Sequence, residues 1–167
     1  HPEREIPGMP AANQHRQHWS IPLRFAASVL KGKYTQQHAP MLQQAEPVGH
    51  AVRFAYLSTA AAMLAHDEND VKLVDHLAAS WQHMVTKRMY VTGGIGSLPM
   101  LEGFGRDYEL DPEIAYAETC AALGSIFWSR EMGSITRHAR YEDLVEWQLY
   151  NAASVGIGLD GRSYFYN

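Results

Sequence analysis

VGHAVRFAYLSTAAAMLAHDENDVKLVDHLAASWQHMVTKRM, residues 48–89, decides the fold class. Val48, Val52, Ala55, Tyr56, Thr59, Ala60, Met63 and Leu64 recur at helical spacing and predict one amphipathic helix. His66-Asp67-Glu68-Asn69 closes it, and Asp70 carries the side chain of an N-cap for the next helix. Val71, Val74, Leu77, Ala78, Trp81, Val85 and Met89 then mark one face of that second helix. So short a connection folds the pair into an antiparallel helical hairpin.

The pattern extends outward in both directions. Pro2, Pro7, Pro10 and Pro22 break any period up to about residue 22, and Ile21 to Leu30 predicts a short helix. Downstream, residues 91–113 predict a long loop, Gly-rich at first, then aromatic and acidic. A third helix is expected from Ile114 to Arg130, where alanines and Gly124 permit close packing on several sides. A fourth is expected from Tyr141 to Ser154, with Tyr141, Leu144, Val145, Leu149 and Ala152 on one face. The tail VGIGLDGRSYFYN, residues 155–167, changes character, with Asp160-Gly161 as a tight-turn signal between short β-like runs. The expected fold class is all-α, helical over residues 1–155 with a β-hairpin-like tail at 156–167.

Composition narrows the function. The 167 residues are 46% hydrophobic and 19% charged, the make-up of one ordinary globular domain. A net charge of -4 gives no pull toward nucleic acid or an anionic membrane. No apolar run approaches the roughly 20 residues of a membrane span. The single cysteine excludes an internal disulfide framework and points to a reducing, cytoplasmic compartment. Helix faces left without partners would favour a homo-oligomer.

Several residues could carry chemistry. Glu102 stands on the Gly-rich loop among Met100, Leu101, Gly103 and Phe104, and an apolar setting favours the neutral carboxyl that a general acid needs. The alternative is a solvated loop glutamate. Glu118 and Cys120, the only thiol, can share a soft metal such as zinc. Residues two apart do not face each other on a regular helix, so this sharing requires a loop-to-helix junction. Otherwise Cys120 is a small buried hydrophobe. His50 and, more weakly, His38 could donate to a ligand hydroxyl or to a carboxylate. Asp107 or Glu109 could pair with Glu102 in an enzyme that uses carboxylates alone. Gly93-Gly94-Ile95-Gly96 follows a helix and lacks the spacing of a dinucleotide fingerprint.

Five ordered segments resemble glycoside hydrolase family 127, the β-L-arabinofuranosidases. They are VGHAVRFAYL (48–57), YVTGGIGS (90–97), EGFGRDYEL (102–110), AYAETCAALG (115–124) and RYEDLVEWQLYNAASVGIGLDG (140–161). The resemblance implies part of an (α/α)6 barrel and a retaining hydrolase that releases β-L-arabinofuranose from arabinose-containing oligosaccharides. It implies a zinc-bound cysteine nucleophile, with the metal held by one glutamate and three cysteines. Glu118 and Cys120 match two of those zinc ligands, Glu102 matches the acid/base, and His50 matches a sugar-contacting histidine. The nucleophile and the remaining ligand are an adjacent cysteine pair, for which these 167 residues have no counterpart. The chain by itself is therefore expected to be inactive. Two other readings are a carbohydrate-binding or interaction module without catalysis, and the carboxylate-only glycosidase.

Overall fold

The computed structural model describes residues 20–44 and 46–166; the expected irregular segment around Pro2, Pro7 and Pro10 lies outside them. Among the described residues the protein is all-α, with five α-helices and no extended strand. Helix α1 spans Ile21–Leu30 and opens with Pro22 in its first turn, where the missing N–H costs nothing. Helix α2 spans Ala51–Glu68 and ends on Asn69, whose left-handed φ of 55° closes it. Helix α3 spans Val71–Lys87, and the Asp70 carboxylate accepts from the Leu73 N–H at 3.1 Å as its cap. Helices α4 and α5 span Thr119–Thr136 and Ala139–Gln148.

The apolar stripe expected on α2 is not its buried face. Ala51, Phe54, Ala55, Ser58, Ala62 and Ala65 are buried, whereas Tyr56, Met63 and Leu64 are exposed. The reason is the closeness of α2 to α4. A Cβ added at Gly124 would stand 2.9 Å from that of Ala55, so only small residues fit along the contact. Helix α3 keeps its expected face, with Leu77 and Trp81 buried. The core centres on Phe54, whose ring meets Phe104 and Trp128 edge-on at 5.2 and 5.5 Å. Trp81 meets Tyr141 at 4.5 Å and donates its indole N–H to Ser129 at 2.9 Å.

Two boundaries differ from expectation. Helix α4 begins at Thr119 rather than Ile114, because Ala117 is held at φ 38° with its N–H on the Gly96 carbonyl. A left-handed residue cannot continue a right-handed helix. Helix α5 stops at Gln148 and continues as a π-turn, Leu149–Ala153, and a short 3-10 turn, Ser154–Gly156. The tail is the expected hairpin in miniature: Ile157 bridges Tyr164, and Asp160 accepts from the Arg162 and Ser163 N–H groups at 2.9 Å. No helix of the described residues is long and apolar enough to cross a membrane.

An ion cluster ties α3 to the loop that follows it. Asp107 takes His83 at 2.7 Å, Arg88 at 2.8 Å and Lys87 at 3.2 Å, and Arg88 also meets Glu46 at 2.8 Å and the Pro47 carbonyl. The hydrogen bond from His83, followed by those from Arg88 and Lys87, holds the Asp107 carboxyl well below the usual carboxylate range. A depressed carboxylate adds stability above its unfolded pKa and loses it as pH falls toward the folded value. Asp107→Asn is expected to cost about 1 kcal/mol at pH 7, since the group is one-third exposed and screened. The gap should close as pH falls below about 4. Urea unfolding of both proteins across pH checks this, and a gap independent of pH would remove the ionic explanation.

Candidate active site

The α3–α4 connection, residues 88–118, is a packed segment. The buried Gln148 of α5 donates to the Gly93 carbonyl at 2.7 Å, and the loop's own Ile95 and Leu98 are buried. The chain reverses at Pro99–Glu102, where Leu98 bridges Gly103, and Gly103 in turn bridges His50 at the start of α2. The Ala51 N–H donates to the Glu102 carbonyl and the Phe104 N–H to the Gly49 carbonyl, both at 3.0 Å. Gly103 has no substitute there, because a Cβ would collide with the Gly49 carbonyl. Glu102 is fixed at φ 47°, a left-handed conformation unusual for a residue with a side chain. Such strain persists only where the surroundings impose it, commonly at functional sites.

The backbone thus presents the Glu102 carboxylate to two polar side chains. His50 is the N-cap of α2, and its Nδ1 accepts from the Val52 N–H at 3.2 Å. An accepting Nδ1 puts the ring proton of the neutral imidazole on Nε2. Nε2 lies 3.1 Å from Glu102 Oε2, an ion-pair distance. The Tyr116 hydroxyl donates to the other oxygen, Oε1, at 2.9 Å. The apolar enclosure expected around Glu102 is not what forms. Leu101 and Phe104 turn into the protein, while the carboxylate is 36% exposed and takes polar partners.

Glu118 and Cys120 lie at the loop-to-helix junction that metal sharing requires. Glu118 is at the N-cap position of α4 without capping it, and it is only 1% exposed. Neither of its oxygens receives a hydrogen bond of good geometry, although the Cys120 thiol and the Tyr166 hydroxyl lie close enough to feel its charge. Those two groups are 4.0 Å apart. Burial, and then the Glu118 carboxylate, push the Cys120 thiol up to about 11, so it is neutral at pH 7. A ring nitrogen of His50, a Glu102 oxygen and a Glu118 oxygen all fall within 4.8 Å of one another. A buried carboxylate with unpartnered oxygens beside a thiol is a donor set that suits zinc, short of the three or four ligands such a site needs.

The structure brings together His50, Glu102, Glu118 and Cys120. His38 is outside this group: burial, then Lys33, lower its pKa, and its Nδ1 has no partner. Asp107 and Glu109 do not pair with Glu102. Asp107 belongs to the ion cluster, and Glu109 is clamped by Arg24 at 2.6 and 2.8 Å and by the Arg106 N–H at 2.6 Å. Sequence reasoning missed Tyr116 and Tyr166. The first could have been suspected from its place two residues before Glu118. The second is delivered by the tail, where the Thr119 N–H bonds the Tyr166 carbonyl at 3.1 Å, and no local pattern announces that return.

Residues 11–167 match the β-L-arabinofuranosidase, GH127 catalytic domain. The chain is a glycoside hydrolase sequence by class. It belongs to family 127. It is 38% identical over 136 residues to a non-reducing end β-L-arabinofuranosidase of Bifidobacterium longum subsp. longum, covering 81% of this chain and 21% of that protein. A crystal structure of a family 127 β-L-arabinofuranosidase from Geobacillus stearothermophilus superposes with a TM-score of 0.78 at 40% identity, over 80% of this chain and 21% of the other. A further solved glycoside hydrolase gives 0.79 at 30% identity, over 94% of this chain and 29% of that one. The chain spans about one-fifth of the length of the curated relative it matches.

Proposed function

We propose that this chain is part of the catalytic helical barrel of a retaining β-L-arabinofuranosidase acting on arabinose-containing oligosaccharides. Residues 1–155 belong to the barrel and 156–167 lead out of it. The observation that carries this reading is the Glu102 carboxylate, held by the Tyr116 hydroxyl and facing His50 Nε2, beside the buried, unpartnered carboxylate of Glu118. The exposed apolar residues Tyr56, Met63 and Leu64 of α2 and Phe127 of α4 add support, as faces that further barrel helices would cover.

In this reading Glu102 is the acid/base. It gives a proton to the glycosidic oxygen as the bond to the anomeric carbon breaks, and takes one from water in the second half of the reaction. The Tyr116 hydroxyl holds the carboxylate whenever it is ionised, with His50 Nε2 close to its other oxygen. Glu118 and Cys120 would be two of the ligands of zinc. Zinc when bound keeps thiols deprotonated, which supplies the sulfur nucleophile. That nucleophile comes from a cysteine outside these 167 residues, whose only cysteine is Cys120.

With p-nitrophenyl β-L-arabinofuranoside, the 167-residue chain alone is expected to show no turnover. A polypeptide joining it to the adjacent cysteine pair is expected to release arabinose with retained configuration, and to stop when a chelator removes zinc. Turnover by the chain alone that survives Cys120→Ala would sink the thiolate mechanism.

A further inference from the structure

We propose that Tyr116 is a positioning residue for the acid/base carboxylate, fixing the orientation of Glu102 through its hydroxyl. The inference rests on Glu102 being the acid/base and adds a residue to that machinery. Glu102 has a polar neighbour at each oxygen, His50 Nε2 at 3.1 Å from Oε2 and the Tyr116 hydroxyl donating to Oε1 at 2.9 Å, and of the two the hydroxyl makes the directed hydrogen bond that fixes its plane. Removing the Tyr116 hydroxyl leaves only the imidazole.

Tyr116 is itself held firmly. The next residue, Ala117, is in the left-handed region with φ 38° and donates its N–H to the Gly96 carbonyl at 2.9 Å. The Tyr116 ring lies edge-on to Tyr166, with centroids 6.5 Å apart. The Glu102 backbone is fixed by the Ala51 N–H on its carbonyl. Donor and acceptor therefore come from two loop segments whose positions are set independently of the hydrogen bond that joins them. Tyr116 is only partly buried, so water could satisfy its hydroxyl without Glu102. A packing role alone would not require this partner.

The test is Tyr116→Phe in the polypeptide that unites this chain with its nucleophile. Its kcat/KM is compared on two substrates. A β-L-arabinofuranosyl disaccharide has a leaving group that must be protonated. A 2,4-dinitrophenyl β-L-arabinofuranoside has one that departs unaided. Loss of a hydrogen bond to a charged group predicts a fall of about ten- to a hundredfold on the disaccharide. On the dinitrophenyl glycoside, where the acid contributes little, the change should stay within about threefold. In a Glu102→Gln background the same substitution should add less than about threefold, since residues acting as a unit are not additive. Equal losses on both substrates would mean a structural role, and no loss on either would mean the hydroxyl is idle; each overturns the proposal. If the parent polypeptide turns over neither substrate, it is the arabinofuranosidase reading that has failed, and if Glu102→Gln lowers both substrates equally, it is the acid/base reading of Glu102.

Discussion

Glu102→Gln is expected to lower kcat/KM on a β-L-arabinofuranosyl disaccharide by about 10²–10⁴-fold, the usual contribution of a positioned acid/base. Glutamine preserves the shape and removes the transferable proton. It also disturbs the grip. Its carbonyl oxygen can accept from Tyr116, but its amide then faces His50 Nε2–H, donor against donor. Turning the imidazole proton over to Nδ1 would relieve that clash and would lose the cap on the Val52 N–H, at about 1 kcal/mol. The variant should therefore be slightly less stable as well as much slower. On a dinitrophenyl glycoside the first chemical step should be nearly unaffected, because that leaving group needs no proton. An equal fall on both substrates would remove Glu102 from the acid role and leave it as a binding group.

Much of this was legible in the sequence, for identifiable reasons. The α2–α3 hairpin could be read because Asp70 caps in the ordinary way and the apolar face of α3 meets the core. The α2 face could not. Periodicity finds large apolar residues, but the α2–α4 contact is built from Ala55, Gly124 and other small residues that carry little hydrophobic signal. The start of α4 was hidden because alanine is a good helix former, and only the tertiary bond from Ala117 to Gly96 forces it out of the helix. At the site, Glu102, Glu118 and Cys120 are visible as residue types in an unusual setting. What the sequence withheld is the polar character around Glu102, since its donors come from the cap of a different helix and from a tyrosine fourteen residues on.

The second large effect is on the backbone that carries the acid/base. Gly103→Ala is expected to destabilise the protein by about 2–3 kcal/mol, the cost of forcing added volume into a packed site, and to cripple catalysis as well. The constraint at Gly103 is contact, for its φ is not in the left-handed region. A methyl there would collide with the Gly49 carbonyl and stand 3.2 Å from the His50 Cα. Gly49 cannot yield toward the other side, because the Lys33 carbonyl stands where a Cβ on Gly49 would be, so the backbone is already closely packed there. Relief must then come from moving the loop away from α2, which breaks the Ala51–Glu102 and Phe104–Gly49 bonds and separates Glu102 from His50. Gly161→Ala is the control. Gly161 has φ 65° and nothing within 4 Å of an added Cβ, so alanine there meets backbone strain alone, about 1 kcal/mol, far from Glu102. Urea midpoints and kcat/KM for the two variants separate the effects. If Gly103→Ala unfolds no more readily than Gly161→Ala and keeps its activity, the close approach of the two backbones is not what holds Glu102 in place.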